Sequence, residues 1–377
     1  MMKKMGLYIH IPFCVKKCNY CDFLSAPSSK QVQIAYMDTL QKEIEEKAIA
    51  YKDWCVDTIF IGGGTPTSVP YETVVKMMDT VRAEFCLDKD CEITIECNPG
   101  TVTSEAFKAY RAAGINRLSI GLQSADDELL KELGRIHTYE QFLETYTWAR
   151  KAGFENINVD VMSGLPGQTL EQYEDTFKKV TELDIAHISA YSLIVEEGTP
   201  FFKLYEEDKL DLPDEETERQ MYYRTKEILG AAGFNRYEIS NYAKEGCECR
   251  HNVRYWRRED YLGLGLGASS CMENVRFKNT DWLDEYVMEN KYMDKCEVQE
   301  LSKEECMEEF MFLGLRMTEG VSKTKFADTF GVTMDKVYGP VLSKLKEQKL
   351  IAEEGDLVCL TEYGLDVSNR VWVEFLL

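Results

Sequence analysis

The chain has little histidine and little proline, and its charges are far from balanced. Its 377 residues include 4 histidines and 9 prolines, and 44 basic residues stand against 66 acidic ones, which gives a formal net charge of -22. Nucleic acids and anionic lipids are bound mainly through lysine and arginine, so an acidic chain is a poor partner for either. We therefore expect no nucleic-acid partner.

Long hydrophobic runs are also missing. No stretch approaches the ~20 apolar residues that a transmembrane helix needs, although 44% of the residues are hydrophobic and can fill a large core. The strand-like run near the start is too short for the core of a secretory signal. We expect a cytoplasmic chain without a transmembrane segment.

Cysteine is abundant but shows no pairing pattern. The 13 cysteines are scattered along the chain, and three of them, Cys14, Cys18 and Cys21, have C-x3-C-x2-C spacing just after a strand-like run. Three thiolates on one short loop can hold three irons of a [4Fe-4S] cluster and leave the fourth iron open. A structural zinc site wants a fourth ligand, and no second C-x2-C pair follows. A cluster is therefore favoured over zinc or inert thiols.

Strand-like and helix-like segments alternate over the first two thirds of the chain. The β-branched, apolar runs are 7–11, 58–61, 92–96, 117–121, 156–162 and 187–193. The segments with helical periodicity are 32–51, 71–85, 104–113, 139–152 and 170–183. Strict alternation predicts a parallel sheet with right-handed crossovers. We predict an α/β fold in which residues 1–240 form an open, partial (βα)6 TIM-like barrel with its ligands at the C-terminal strand ends.

The remaining third has a different character. Helical patterns at 304–317, 322–330 and 335–350 precede a hairpin whose turn lies at Gly355 and Asp356. They predict a winged-helix-like α+β domain over 301–377, which we interpret as a cover or partner-docking domain because no arginine-rich face suits DNA. Residues 241–300 are predicted to be a crossover segment, and within it the glycine-rich run 262–268 is expected to pack closely against the open side of the barrel.

Polar residues cluster at the predicted strand ends. The glycines at 62–64 follow the second strand directly, and bare backbone there lets a ligand approach closely. Glu96, Gln123 and Asp160 lie on the next three strands and could accept hydrogen bonds from hydroxyl and amine groups, while Arg135 could pair with a carboxylate. The alternative interpretation is a tight turn with ordinary capping and salt-bridged residues.

Several short blocks occur in a fixed order along the chain. They are Tyr8-Ile-His-Ile-Pro-Phe-Cys14 with Lys17-Cys18-Asn-Tyr-Cys21-Asp-Phe23, Gly62-Gly-Gly-Thr-Pro-Thr67, Ile95-Glu96-Cys-Asn-Pro99, Ile120-Gly-Leu-Gln123, Asn158-Val-Asp160 and Gly164-Leu-Pro-Gly167. Together they resemble the radical S-adenosylmethionine (SAM) superfamily, and within it the oxygen-independent coproporphyrinogen oxidases. The resemblance covers nearly the whole chain.

This resemblance implies cofactors and a site. The three cysteines would hold a [4Fe-4S] cluster whose open iron takes SAM, and an electron donor would drive reductive cleavage of SAM to a 5′-deoxyadenosyl radical. By the family pattern, SAM is lined by Tyr8, Tyr20, Gly63, Gly64, Thr65, Glu96, Gln123, Arg135 and Asp160.

Two departures separate the chain from the oxidases. They carry a fourth cysteine where this chain has Phe23, and they carry an N-terminal extension where only seven residues precede Tyr8 here. The chain also reads His251-Asn-Val-Arg-Tyr-Trp256, an H-N-x-x-Y-W motif. These features resemble the HemW-type haem chaperones.

The motif suggests a haem site. Imidazole is a good axial ligand for haem iron, and Tyr255 and Trp256 could flank the macrocycle beside His251. A lone histidine is more often structural, however. Cys247 and Cys249 could instead hold zinc with His251 or ligate haem through a thiol, although no fourth zinc ligand is evident.

The leading interpretation is a haem chaperone that binds haem and transfers it to haemoproteins such as respiratory enzymes, without coproporphyrinogen oxidase activity. The alternatives are an anaerobic coproporphyrinogen III oxidase, which converts two propionates to vinyls, and a radical SAM methyltransferase. The sequence leaves open whether one or two SAM molecules bind, whether SAM is cleaved productively, and whether the protein dimerises.

Overall fold

The computed structural model describes residues 2–377, which form a 12-stranded sheet with helices packed against it and a small three-stranded unit. The strands are β1 (Lys3–Ile11), β2 (Trp54–Gly63), β3 (Cys86–Cys97), β4 (Arg117–Gln123), β5 (Asn156–Ser163), β6 (His187–Ser192), β7 (Asn235–Arg236), β8 (Asn241–Ala243), β9 (Tyr261–Leu264), β10 (Ser269–Met272), β11 (Val275–Lys278), β12 (Cys296–Glu300), β13 (Val321–Ser322), β14 (Ile351–Glu354) and β15 (Leu357–Leu360).

The helices alternate with the strands as predicted. They are α1 (Lys30–Ala50), α2 (Tyr71–Glu84), α3 (Ser104–Ala112), α4 (Asp127–Glu132), α5 (Tyr139–Lys151), α6 (Leu170–Thr181), α7 (Pro200–Glu206), α8 (Glu215–Ala231), α9 (Arg250–Trp256), α10 (Leu283–Met288), α11 (Lys303–Gly314), α12 (Lys323–Phe330), α13 (Met334–Glu347), α14 (Glu362–Asp366) and α15 (Ser368–Trp372). No helix of residues 2–377 is both long and apolar enough to cross a membrane.

Strands β1 to β6 lie side by side in chain order, and each neighbouring pair is parallel. This confirms the predicted (βα)6 core. The sheet stays open, because β6 pairs antiparallel with β8 at one side and β1 pairs parallel with β9 at the other. The cofactor end of such a sheet is the end where β1 to β6 finish.

Local sequence signals explain where the helices begin and end. Helices α5 and α6 both start with a capping box, in which a threonine and a glutamine three residues later satisfy each other's backbone N–H groups. The helices before β4, β5 and β7 are followed by Gly114, Gly153 and Gly233, with φ of 80°, 90° and 84°. Glycine takes this left-handed conformation without strain, so the chain turns back to the sheet there.

The middle of the chain departs from the sequence pattern in two places. Residues 237–240 follow Ala232-Gly-Phe234 and have a strand-like sequence, but they form the connection between β7 and β8, which pair antiparallel. The glycine-rich run does pack closely, but part of it forms β9 of the main sheet rather than a separate crossover. Gly263 in β9 lies so close to Ser269 that a Cβ on this glycine would clash with the Ser269 carbonyl oxygen.

The last part of the chain builds a second hydrophobic core. Helices α11, α12 and α13 pack around Phe326 and Tyr338, and strand order β13-β15-β14 completes the unit. The turn between β14 and β15 falls at Gly355 and Asp356, as predicted. The winged-helix-like α+β fold is therefore confirmed.

Candidate functional site

The loop after β1 carries the three cysteines to the C-terminal end of the sheet. Asn19 ties this loop to the rest of the fold, since its N–H donates to the Leu133 carbonyl at 2.9 Å and its carbonyl accepts from the Phe201 N–H at 3.0 Å. Cys14, Cys18 and Cys21 are free thiols that line one cavity of about 450 Å³. Three thiols along one wall suit a cluster with an open iron.

The glycine run brings bare backbone against the cysteine loop. The Gly64 N–H donates to the Ile11 carbonyl at 3.0 Å, and the Thr65 N–H donates to the Phe13 carbonyl at 2.6 Å. A Cβ on Gly64 would lie 2.5 Å from the Phe13 oxygen, so a side chain there would push the loop away. The glycine thus fixes the spacing between the second strand and the thiols.

Glu96 and Asp160 place two carboxyl groups in the same cavity. Burial raises the pKa of Glu96 to about 8, and the nearby negative charge of Asp160 adds to the rise. The Gly63 N–H donates to Glu96 Oε2 at 3.2 Å, and no cation among the described residues pairs with this carboxylate. Burial also raises the pKa of Asp160. Such a pair favours a cationic ligand, and the sulfonium and ammonium groups of SAM are cations.

Arg135 sits between the thiols and the polar wall. Its Nη2 donates to Asn98 Oδ1 at 2.7 Å and to the Gly121 carbonyl at 2.6 Å, and its Nη1 lies 3.8 Å from Cys18 Sγ. Its Nε is buried without a partner among the described residues. The guanidinium thus contacts the Cys18 sulfur and still has a donor left for a ligand carboxylate.

Eight of the nine predicted SAM residues line this cavity, and Tyr8 does not. The Tyr8 hydroxyl is hydrogen-bonded to His10 Nδ1 at 2.9 Å, and its ring stacks on Phe60 with centroids 6.4 Å apart. Tyr8 therefore packs inside the barrel and does not line the cavity in this structure, and its contact with SAM stays a prediction.

Sequence reasoning missed several polar residues of the cavity. Tyr191 donates to Gln123 Oε1 at 3.1 Å and thereby orients that amide. Others include Asn98, Ser119, Ser189, Asn241 and Asn252. The strand period could have indicated Ser119 and Ser189, because they stand two residues away from inward-facing positions. Asn241 and Asn252 come from β8 and α9, whose positions no local pattern gives.

Comparison with known proteins identifies the family. Residues 8–180 match the radical SAM superfamily, and residues 301–367 match the HemN C-terminal domain. The chain is 40% identical over 372 residues to the heme chaperone HemW of Bacillus subtilis, and the match covers 98% of both chains. The chain belongs to the HemW family of radical SAM proteins. The heme chaperone HemW of Escherichia coli is 35% identical over 377 residues, 99% of this chain and 98% of that one.

A solved structure shows the same fold. The coproporphyrinogen III oxidase HemN of Escherichia coli, a radical SAM enzyme, matches with a TM-score of 0.86 over 99% of this chain and 90% of its own, at 23% identity. Membership of the radical SAM superfamily implies a [4Fe-4S] cluster and SAM. The thiol wall, the bare glycine backbone, the Glu96 carboxylate without a cationic partner and the free Arg135 Nε fit these groups.

In this HemW-family chain the H-N-x-x-Y-W motif forms α9, but its histidine does not face the cavity. His251 is fully buried; its Nδ1 is hydrogen-bonded to Thr58 Oγ1 at 2.9 Å and its Nε2 to the Tyr255 hydroxyl at 2.8 Å. Burial, together with the positive charges of Arg254 and Arg117, lowers the pKa of His251 to about 3. The imidazole is neutral, and neither ring nitrogen is free for iron in this conformation.

Helix α9 is anchored to the middle of β2 and β3. The Glu92 carboxylate on β3 accepts hydrogen bonds from the backbone N–H groups of Arg250 at 3.2 Å and His251 at 3.1 Å. These N–H groups belong to the first turn of α9 and have no acceptor within the helix. Arg254 forms a buried ion pair with Asp57. Because Glu92 and Glu96 point to the same face of β3, α9 lies beneath the cavity in the barrel interior.

The other aromatic residue of the motif joins the two cores. Trp256 lies against Arg316, whose guanidinium is 4.3 Å from that ring and 5.4 Å from the ring of Trp372. Asn252 is the motif residue that lines the cavity. The structure thus separates residues that the sequence analysis grouped in one haem site.

The zinc alternatives find no support in the geometry. No three histidine, cysteine or acidic side chains converge on a single-ion site anywhere in residues 2–377. Cys249 is buried beside Glu92, with its Sγ 3.8 Å from Glu92 Oε1.

Proposed function

We propose that this protein binds haem and passes it to haemoproteins, as a chaperone, and does not oxidise coproporphyrinogen. The observation that carries the proposal is the full-length identity of 40% and 35% to proteins named heme chaperone HemW. Phe23, which stands two residues after the third cysteine, supports it because the oxidase pattern has a cysteine there. The acceptors would be haemoproteins such as respiratory enzymes, and the site of action would be the cytoplasm.

We propose that Cys14, Cys18 and Cys21 hold the [4Fe-4S] cluster and that the cavity above them holds SAM. When bound, the two groups supply one-electron reductive chemistry, and an electron donor would have to reach them. Arg135 would pair with the SAM carboxylate through its free Nε, and Glu96 would face a cationic group. Tyr20, Gly63, Gly64, Thr65, Gln123 and Asp160 would complete the site.

The haem site is proposed at α9, with His251 as the iron ligand and Tyr255 and Trp256 beside the macrocycle. The observed hydrogen bonds set a condition on this assignment. His251 Nε2 must give up its bond to the Tyr255 hydroxyl before it can ligate iron. Because His251 is also fully buried against Thr58 and Phe60, haem loading further requires that α9 open away from these two residues.

Two substitutions test this haem ligand. Tyr255→Phe removes the hydroxyl that occupies Nε2, so haem affinity should rise, whereas His251→Ala should lower the affinity and change the haem spectrum. Thermal unfolding of both variants serves as the control for folding. If neither variant alters haem affinity or spectrum, His251 is not the ligand.

The alternative function is an anaerobic coproporphyrinogen III oxidase, which the shared fold with HemN favours. The test is anaerobic reconstitution of the cluster, followed by parallel incubations with haem and with coproporphyrinogen III, SAM and a reductant. Stable haem binding without decarboxylated product is expected. Formation of protoporphyrinogen with only loosely held haem would establish the oxidase instead.

A further inference from the structure

A line of buried hydrogen bonds runs from the start of α9 to the carboxylate of Asp160. The Cys249 backbone N–H reaches the Tyr237 hydroxyl at 3.3 Å, and that hydroxyl lies 2.8 Å from His187 Nε2. His187 Nδ1 lies 2.6 Å from Asn158 Oδ1, and Asn158 Nδ2 donates to Asp160 Oδ1 at 2.7 Å. The line thus connects the motif helix with a cavity residue through three side chains.

The donors and acceptors along this line have a fixed direction. Asn158 donates from Nδ2 to the Asp160 carboxylate and to Ser119 Oγ. Its Oδ1 therefore faces His187, and His187 Nδ1 must donate to it. Burial favours the neutral imidazole, so Nε2 carries no proton and accepts the hydroxyl proton of Tyr237. The Tyr237 oxygen in turn accepts the backbone N–H of Cys249.

The surroundings keep the imidazole in that state. His187 is fully buried, and Asn158 and Tyr237 are nearly so. Burial, followed by the positive charge of Arg117, lowers the pKa of His187 well below its usual value. Removing one member would leave its buried neighbour without a partner, which is costly in a dry interior.

We propose that Tyr237 and His187 are positioning residues that set the orientation of Asp160, so that the motif helix α9 and the SAM cavity are energetically coupled. Neither residue lines the cavity, so each acts on a ligand through Asn158. The Asn158 amide is also held by Ser119 at 2.8 Å and Ser189 at 3.2 Å. A shift of α9 that moves the Cys249 N–H would weaken the bonds of Tyr237 and His187. Those bonds are one of the supports that fix this amide and, through it, the Asp160 carboxylate. This inference rests on the proposed SAM site.

A double-mutant cycle on the reconstituted full-length protein tests the coupling. Tyr237→Phe removes one hydroxyl, and SAM affinity measured by calorimetry should fall roughly 3- to 10-fold, the range of one hydrogen bond. The cluster absorbance should stay unchanged. In an Asp160→Asn background, where the carboxylate is already lost, Tyr237→Phe should add little further effect.

The matched control is Tyr242→Phe. Tyr242 is a buried tyrosine of the same hairpin, and its hydroxyl is outside the line and outside the cavity. Tyr242→Phe should leave SAM affinity unchanged. Equal losses for Tyr237→Phe and Tyr242→Phe, or fully additive effects with Asp160→Asn, would overturn the proposal.

A second measurement does not depend on SAM binding. Nitrogen-15 NMR of histidine-labelled protein distinguishes the two neutral tautomers, and His187→Gln identifies the signals. A neutral His187 protonated on Nδ1 is expected, and its Nε2 signal should shift in Tyr237→Phe. Protonation on Nε2 would contradict the proposed direction of these hydrogen bonds. If the tautomer is as expected but the wild-type protein binds no SAM, the proposed cofactor site fails and the hydrogen-bond line stands.

Discussion

Cys18 is the cysteine of the triplet that lies against a cation, since Arg135 Nη1 is 3.8 Å from its sulfur. Burial raises the pKa of Cys14 and Cys21, so these thiols become thiolates readily only when iron binds them. The loop is held by backbone hydrogen bonds rather than by its sulfurs. Its fold should therefore survive the loss of one thiol.

Cys18→Ala is expected to abolish the visible absorbance of the reconstituted cluster, because two thiolates cannot hold the cluster stably. The thermal unfolding of the metal-free protein should change little. Cys359→Ala, in the C-terminal unit, is the matched control and should reconstitute like the wild type. Normal cluster absorbance in Cys18→Ala would remove that cysteine from the ligand set.

The raised pKa of Glu96 predicts that SAM binding depends on pH. Its pKa of about 8 means that the carboxyl is mostly protonated near neutral pH, whereas a cationic ligand favours the ionised form. SAM affinity should therefore rise with pH up to about 8 and level off above it, with proton release on binding at lower pH. Calorimetry in buffers of different ionisation enthalpy measures both effects. Glu96→Gln should flatten the profile, and an equally steep profile in that variant would assign the proton to another group.

At the scale of elements, the sequence predicted the parallel core well. Each of the strands β1 to β5 contributes β-branched or other apolar residues to the core, although β4 and β5 alternate them with polar residues. Glycines mark the ends of the helices before β4 and β5. The cavity could be predicted because its residues follow those strand ends. Eight of the nine residues that the family pattern assigns to SAM line the cavity, and their contact with SAM stays a prediction. Tyr8 lies outside the cavity because its side chain packs next to His10 and Phe60.

The motif helix shows where sequence reasoning stops. Its histidine looks like a free ligand in the sequence, yet Thr58, 193 residues away, occupies one ring nitrogen and Tyr255 the other. Tyr255 stands four residues away on the same helix, whereas the Thr58 contact depends on tertiary packing, which no local pattern reveals. The same applies to Glu92, which satisfies the start of α9 from a distant strand.

Arg254 should be the main electrostatic anchor of α9. Arg254→Ala leaves the buried Asp57 without its guanidinium, and the free energy of unfolding should fall by roughly 3–5 kcal/mol. Arg257 is exposed and pairs with Glu319. Arg257→Ala should therefore lower the free energy of unfolding by less than about 1 kcal/mol. Urea unfolding compares the two variants. Similar small losses in both would show that the buried pair does not hold the helix.

At the scale of the whole molecule, two hydrophobic cores meet at the motif helix. The barrel core and the C-terminal core are built from separate sets of residues. Trp256 and Trp372 enclose Arg316, which also lies 3.8 Å from Glu238 of the β7–β8 connection. A movement of α9 would therefore change the contacts of Asn252 in the proposed SAM cavity and those of Trp256 at the C-terminal unit. This arrangement suits a protein that must hold a ligand and later release it.

The most direct test of the proposed function is transfer of haem. The reconstituted protein, loaded with haem, is mixed with membrane vesicles that carry a haem-free respiratory enzyme, and recovery of that enzyme's activity is followed over time. We predict faster recovery than with the same concentration of free haem, and slower recovery with His251→Ala. Recovery no faster than with free haem would contradict a chaperone function.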